Sequence, residues 1–116
     1  MQIQSNALLR RCYDALTAAG LDVRLANTPT GKCTEPFVVV YEGAEEPAGK
    51  MRVYRHALVD VLVPKDKPAQ LSCQMATART AMLEAGLSLI YASQANVLED
   101  YDALSISADF RALCAR

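Results

Sequence analysis

The chain has 116 residues, a formal net charge of −1, 22% charged and 52% hydrophobic residues, and a mean hydropathy of +0.07. That length suits a single domain spanning residues 1–116 with one ordinary core, and the balanced composition excludes a disordered tail protein. A pI near 5.8 argues against broad duplex binding by phosphate neutralisation, and no apolar run approaches the roughly 18 residues of a membrane helix.

The opening MQIQSNALLRRCYDAL lacks the basic-then-apolar order of a secretory signal. Ser5 or Asn6 is placed to cap a first helix over about Ala7 to Ala19, stopped by Gly20. Leu8, Leu9, Cys12, Leu16 and Ala19 recur at helical spacing as one apolar stripe. A short strand, Asp22 to Ala26, leads into a loop over 27–36 (NTPTGKCTEP), rich in proline and polar residues. Phe37 to Tyr41 (FVVVY) is a strand with both faces apolar. The charged stretch Glu42 to Lys50 reads as a long, mobile hairpin loop. Met51 to Val63 is the longest strand pattern: its odd positions are almost all apolar, and its even positions form a mixed face.

PKDKP, Pro64 to Pro68, breaks the pattern, with Pro68 placed for a helix start. The second helix runs from about Ala69 to Ala85 and stops at Gly86, with Leu71, Met75, Ala78, Met82 and Ala85 on one face. Leu87 to Ala92 is a strand, Ser93 to Asn96 a turn, and Val97 and Leu98 a short extended piece. The last strand spans about Ala103 to Leu113, with Leu104, Ile106, Ala108, Phe110 and Ala112 on its apolar side. The order α-β-β-β-α-β-β predicts an α+β fold: a two-layer sandwich of a mostly antiparallel, four- to five-stranded sheet with two helices on one face. Val59, Val61, Leu104, Ile106 and Phe110 are expected to meet Leu16, Met75 and Met82. The other sheet face, carrying Tyr54, Leu58, Leu62 and Leu113 among charges, is a candidate oligomer surface.

Chemistry is sparse. Cys12, Cys33, Cys73 and Cys114 are too widely spaced for a zinc site and read as free thiols. His56 is the sole histidine and reads as a partly exposed strand residue. No phosphate-binding or nucleophile motif occurs, so no enzyme, catalytic residue, cofactor or metal is expected. Arg52, Tyr54 and His56 share a face as in single-strand-binding sheets, but two Phe and no Trp give no sequence-specific nucleic-acid partner. Glu99, Asp100 and Asp102 lack the spacing and the glycine of a calcium loop. What remains is a charge contrast between a basic strand start and an acidic approach to the last strand. Lys50, Arg52, Tyr54, Arg55, Glu99, Asp100 and Asp102 are therefore the candidate inter-subunit residues, since head-to-tail contacts join two different patches. Intrachain pairing, or a solvated mixture of charges, is the competing expectation.

Three segments share a wider pattern: Pro36-Phe37-Val38 entering a strand, Tyr54-Arg55-His56 before the second helix, and the closing run Ser107-Ala108-Asp109-Phe110-Arg111-Ala112. In element order, over about residues 5 to 114, the chain resembles the tail-terminator and tail-completion (head–tail joining) proteins of long-tailed bacteriophages. The resemblance implies a structural virion protein of the tail or neck, made in the bacterial host cytoplasm. It implies a homo-oligomeric, sixfold ring that caps the tail tube, ends its polymerisation and presents a surface for head attachment. The implied partners are further copies of the chain, the tail tube protein and the head connector or head-completion protein, with genomic DNA passing through the ring and no membrane. The same layout also suits a small ferredoxin-like binding or regulatory domain for a ligand or nucleic acid.

Overall fold

Both helices end in the sequence Ala-Gly-Leu, and the physics of that tripeptide fixes where each chain segment turns back onto the sheet. The computed structural model describes residues 3–4, 7–26 and 31–115; the capping expected of Ser5 or Asn6 and loop residues 27–30 lie outside them. The first helix, α1 (Leu8–Ala18), closes with Gly20 at φ +89°, a left-handed conformation that glycine adopts without strain. Gly20 N–H donates to Thr17 O and Leu21 N–H to Leu16 O, so the last carbonyls of the helix are satisfied. The second helix, α2 (Ala69–Glu84), repeats this with Gly86 at φ +99°, Gly86 N–H on Leu83 O and Leu87 N–H on Met82 O. Leu21 and Leu87 then bury themselves immediately after each turn. The Arg11 Nε of α1 donates to Ala85 O at 2.7 Å, tying the first helix to the end of the second.

Among the described residues seven strands form one sheet: β1 (Ile3–Gln4), β2 (Val23–Leu25), β3 (Phe37–Pro47), β4 (Arg52–Pro64), β5 (Ser88–Ala92), β6 (Asn96–Leu98) and β7 (Ala103–Ala115). The order is β1-β7-β4-β3-β2, with β5 and β6 also paired to β7. Three short strands thus share the outer edge of β7: β6 beside residues 103–105, β5 beside 108–111, and β1 beside 114–115. The pairs β1–β7 and β2–β3 are parallel, and the remaining four are antiparallel. The α+β architecture is the expected one; the structure adds β1 and makes β6 a paired strand.

At the centre, β4 and β7 pair without interruption from Arg52↔Ala115 to Pro64↔Ala103. At about 3.4 Å per residue this ladder is roughly 40 Å long, matching the long dimension of a molecule measuring 48 × 24 × 23 Å. Its helix-side face carries Val53, Ala57, Val59, Val61 and Val63 from β4, and Ala108, Phe110, Ala112 and Cys114 from β7. These pack with Val38, Val40, Leu8, Cys12, Leu16, Leu71, Ala78 and Met82 in one core, against which Met75, Leu104 and Ile106 also pack. The eight core residues expected from strand alternation and helical spacing are therefore in place. A smaller cluster of Cys33, Phe37, Leu62 and Ala103, flanked by Val39 and Leu98, covers one end of the opposite face.

One boundary differs by more than two residues. The stretch read as a loop from Glu42 is strand as far as Pro47, and only residues 48–51 form the turn. A bulge between Glu42 and Glu45 resets the register, after which Glu45 pairs with Arg55, Glu46 with Tyr54 and Pro47 with Val53. At the bulge a Cβ on Gly43 would stand 2.4 Å from Leu58 Cδ1 and 3.0 Å from His56 Cβ, so glycine admits the close approach. Proline is tolerated at position 47 because this part of β3 is an outer strand.

Phe110 is fully buried at the centre of the main core. Phe110→Ala should cost about 3–5 kcal/mol against a typical domain stability of about 5–15 kcal/mol. Thermal and denaturant unfolding will show this as a lower melting temperature and midpoint with unchanged cooperativity.

Candidate functional site

The sheet face away from the helices is where the polar side chains gather. Alternation on β4 and β7 places Tyr54, His56, Leu58 and Asp60 beside Leu113, Arg111, Asp109 and Ser107. Tyr41 of β3 donates its hydroxyl to Asp60 Oδ1 at 3.3 Å. Burial, and then the Asp60 charge, push the Tyr41 phenol above its ordinary range.

His56 differs from the sequence expectation of a partly exposed residue: only 8% of it is exposed. Its Nδ1 lies 2.7 Å from Asp109 Oδ1, and its Nε2 contacts Glu46 Oε1. Burial alone pulls the imidazole down, but hydrogen bonds to Asp109 and Glu46 outweigh it, and the net shift is upward from 6.5. Arg111 stands 3.8 Å from Glu46 Oε1 and lies over the Tyr54 ring at 4.0 Å from its centroid. Glu46 was missed because its segment reads as loop. The available signal was Gly43, which permits a strand with a bulge, followed by two glutamates facing two basic residues across a hairpin.

The seven candidate interface residues fall at the two ends of the long ladder. Arg52 opens β4 at one end, next to Lys50 and the 74%-exposed Met51 at the hairpin turn. Glu99, Asp100 and Asp102 sit at the other end, in a 3₁₀ turn (Glu99–Tyr101) whose exit residue Asp102 adopts φ 49°. Several are engaged within the chain. Arg55 pairs with Glu45 at 3.0 Å, Glu99 with Lys65 at 2.7 Å and Asp102 with Lys32 at 3.0 Å. Tyr54 lies under Arg111. Lys50, Arg52 and Asp100 form no ion pair among the described residues. Arg52 and Arg55 lie on opposite faces of β4, as the strand period requires.

Both lateral edges of the sheet expose apolar side chains. Ile90, Tyr91 and Val97 line the β5–β6 edge, and Leu25 stands at the β2 edge. Leu25 borders a groove with Leu9, Arg10, Tyr13 and Glu42. A second, shallow groove between the helices is lined by Ala15, Ala18, Ala19, Ala76, Thr77, Thr80, Ala81 and Glu84.

No protein-family model matches this chain, and no curated protein does. Among solved structures, a chain from the virion of a native gene transfer agent particle superposes with a TM-score of 0.63. The superposition covers 96% of each chain at 20% identity. At that identity the likeness is one of fold, and it extends over nearly the whole chain.

The thiols provide a direct check of the burial pattern. Cys12, Cys33 and Cys114 are buried and Cys73 is exposed on α2. Burial pushes the Cys12 thiol up to about 12 and raises those of Cys33 and Cys114, so their thiolate populations are small near neutral pH. An aromatic disulfide reagent should titrate one thiol rapidly in the native protein, lost in Cys73→Ser, and four after unfolding without reductant.

Proposed function

We propose that this chain is a structural protein of a phage-like virion that assembles into a ring at the end of the tail tube. The observation that carries this reading is the fold likeness, over 96% of both chains, to a component of a gene transfer agent virion. The sequence resemblance to tail-terminator proteins supports the same class. In this role the chain needs no catalytic group: occupying the growing end of the tube blocks further subunits sterically, and the exposed side of the ring offers a surface for head attachment. Its partners are further copies, the tube protein and the head connector.

A closed ring needs two different surfaces on each copy that fit one another. The two sheet edges differ in shape: the β5–β6 edge projects Ile90, Tyr91 and Val97, whereas the β2 edge has the groove beside Leu25. The two ends of the ladder differ in charge: Lys50 and Arg52 at one and Asp100 at the other form no ion pair among the described residues. The basic tip and the acidic turn of adjacent copies are the proposed charged contact, in which an arginine can grip a carboxylate with two hydrogen bonds. Arg55, held by Glu45, contributes by keeping that tip in place.

Exposed ion pairs are worth only about 0–1 kcal/mol each, but a ring repeats each contact and charge reversal adds repulsion. Arg52→Glu should therefore leave the folded monomer intact while weakening assembly several-fold by light scattering, with Asp100→Arg partly restoring it. In a phage background the single variant should give tails of irregular length by electron microscopy. Normal rings and normal tails in Arg52→Glu and in the Lys50→Glu/Arg52→Glu double variant would remove the tip from the interface. A strictly monomeric protein that also fails to bind tail tubes would overturn the ring itself.

A further inference from the structure

We propose that His56 is a proton-operated latch fastening the outer half of β3, from the Gly43 bulge to Pro47, and the following turn to the open face of the sheet. This segment has little apolar packing of its own. Glu45, Glu46 and Pro47 are all exposed, and past the bulge the strand is joined, among the described residues, only to β4, by the pairs of residues 45–47 with 53–55. Segments with few buried contacts and solvent-exposed backbone bonds are the first to open. Two side-chain clasps compensate, one on each face: Glu45 with Arg55, and Glu46 with His56.

The second clasp depends on a proton because of its geometry. Each ring nitrogen of His56 faces a carboxylate oxygen, Asp109 on β7 at Nδ1 and Glu46 on β3 at Nε2. Ionised carboxylates only accept hydrogen bonds, and a neutral imidazole has a single N–H to donate. Both contacts are satisfied together only by the imidazolium, which then bridges the segment to the sheet. When the proton leaves, one lone pair must face a carboxylate. Asp109 belongs to the continuous β4–β7 ladder and stays in place, so Glu46, on the exposed strand, is the group that moves away.

The other groups around the ring set the balance. Arg111 on β7 faces Glu46 and competes for it, and Tyr54 on β4 stacks beneath that arginine. Asp60 on β4 is held by Tyr41 of β3, and Tyr91 of β5 pairs opposite Asp109. The upward shift of His56 agrees with this geometry. A group whose folded pKa is raised stabilises the closed form fully below its unfolded value, about 6.5, and loses that contribution as pH rises through the folded value. The latch is therefore closed in acid and released on the alkaline side of the His56 midpoint. Release leaves the edge of β4 from Val53 to Arg55 open to another strand.

The latch belongs to the isolated chain and operates without a virion. The full-length protein is titrated from about pH 5 to about pH 9, a range bracketing histidine ionisation, while NMR follows the His56 ring and the backbone order of residues 43–51. The expected result is a His56 midpoint above the ordinary value, with order parameters of the segment falling from about 0.85 toward 0.6 or below at that same midpoint. Glu46→Gln, at an exposed position, should lower the His56 midpoint and loosen the segment even in acid. Glu45→Gln should leave the midpoint where it was. His56→Gln should abolish the pH dependence, and if that variant does not fold, Glu46→Gln carries the test alone. A midpoint at or below the ordinary value, a midpoint unmoved by Glu46→Gln, or a segment whose order ignores the His56 titration would each overturn the latch.

Discussion

The β4–β7 ladder runs through thirteen residues of each strand without a bulge, from Arg52↔Ala115 to Pro64↔Ala103, and the rest of the molecule attaches to it. Its helix-side face is the floor of the core, its outer edges receive β3 on one side and β1, β5 and β6 on the other. Because side chains alternate with a period of two, this one register determines both faces at once. Slipping β7 by a single residue would turn Asp109 and Arg111 toward Leu16 and Met82 and expose Phe110. The cost of burying those charges without partners would add to the loss of aromatic burial, and this double penalty holds the register.

The open face is dry at one end and charged at the other, although no helix among the described residues covers it. Near the start of β7, loop residue Cys33 and strand residues Phe37, Leu62 and Ala103 make a small apolar cluster, with Arg24 over the Phe37 ring at 4.0 Å. At the far end, His56 is shielded by long polar side chains, and the cover is made of charge: Glu46, Asp109 and Arg111. An apolar cluster excludes water at any pH. A charged cover holds only while its members keep complementary protonation states, which gives the two ends of one face different responses to solution conditions.

The placement of charge and apolar surface is also asymmetric. A sheet this elongated has two lateral edges and two ends, and in this chain they are unlike one another. Short strands and a bulge limit open-ended pairing at the edges, while Ile90, Tyr91 and Val97 leave apolar area exposed at one of them. Head-to-tail contacts use that kind of asymmetry. The fold likeness to a virion chain and the asymmetry of the surface are independent observations, one of backbone path and one of side-chain chemistry.

Local signals carried most of the fold. The apolar stripes of α1 and α2, the glycine stops at Gly20 and Gly86, the alternation along β4 and β7 and the core set around Phe110 were legible because each rests on spacing within one element. The charge contrast between Lys50–Arg55 and Glu99–Asp102, and intrachain pairing as one outcome, were legible as composition, whereas the partners that engage Arg55, Glu99 and Asp102 were not. The continuation of β3 through Glu46, the parallel pairing of β2 and β1, and the burial of His56 were decided only in three dimensions. His56 meets one partner ten positions away, across a bulged hairpin, and another fifty-three positions away on β7. Periodicity tells which way a side chain points from its own strand; which charges it meets depends on register and strand order, set by the burial of the whole core.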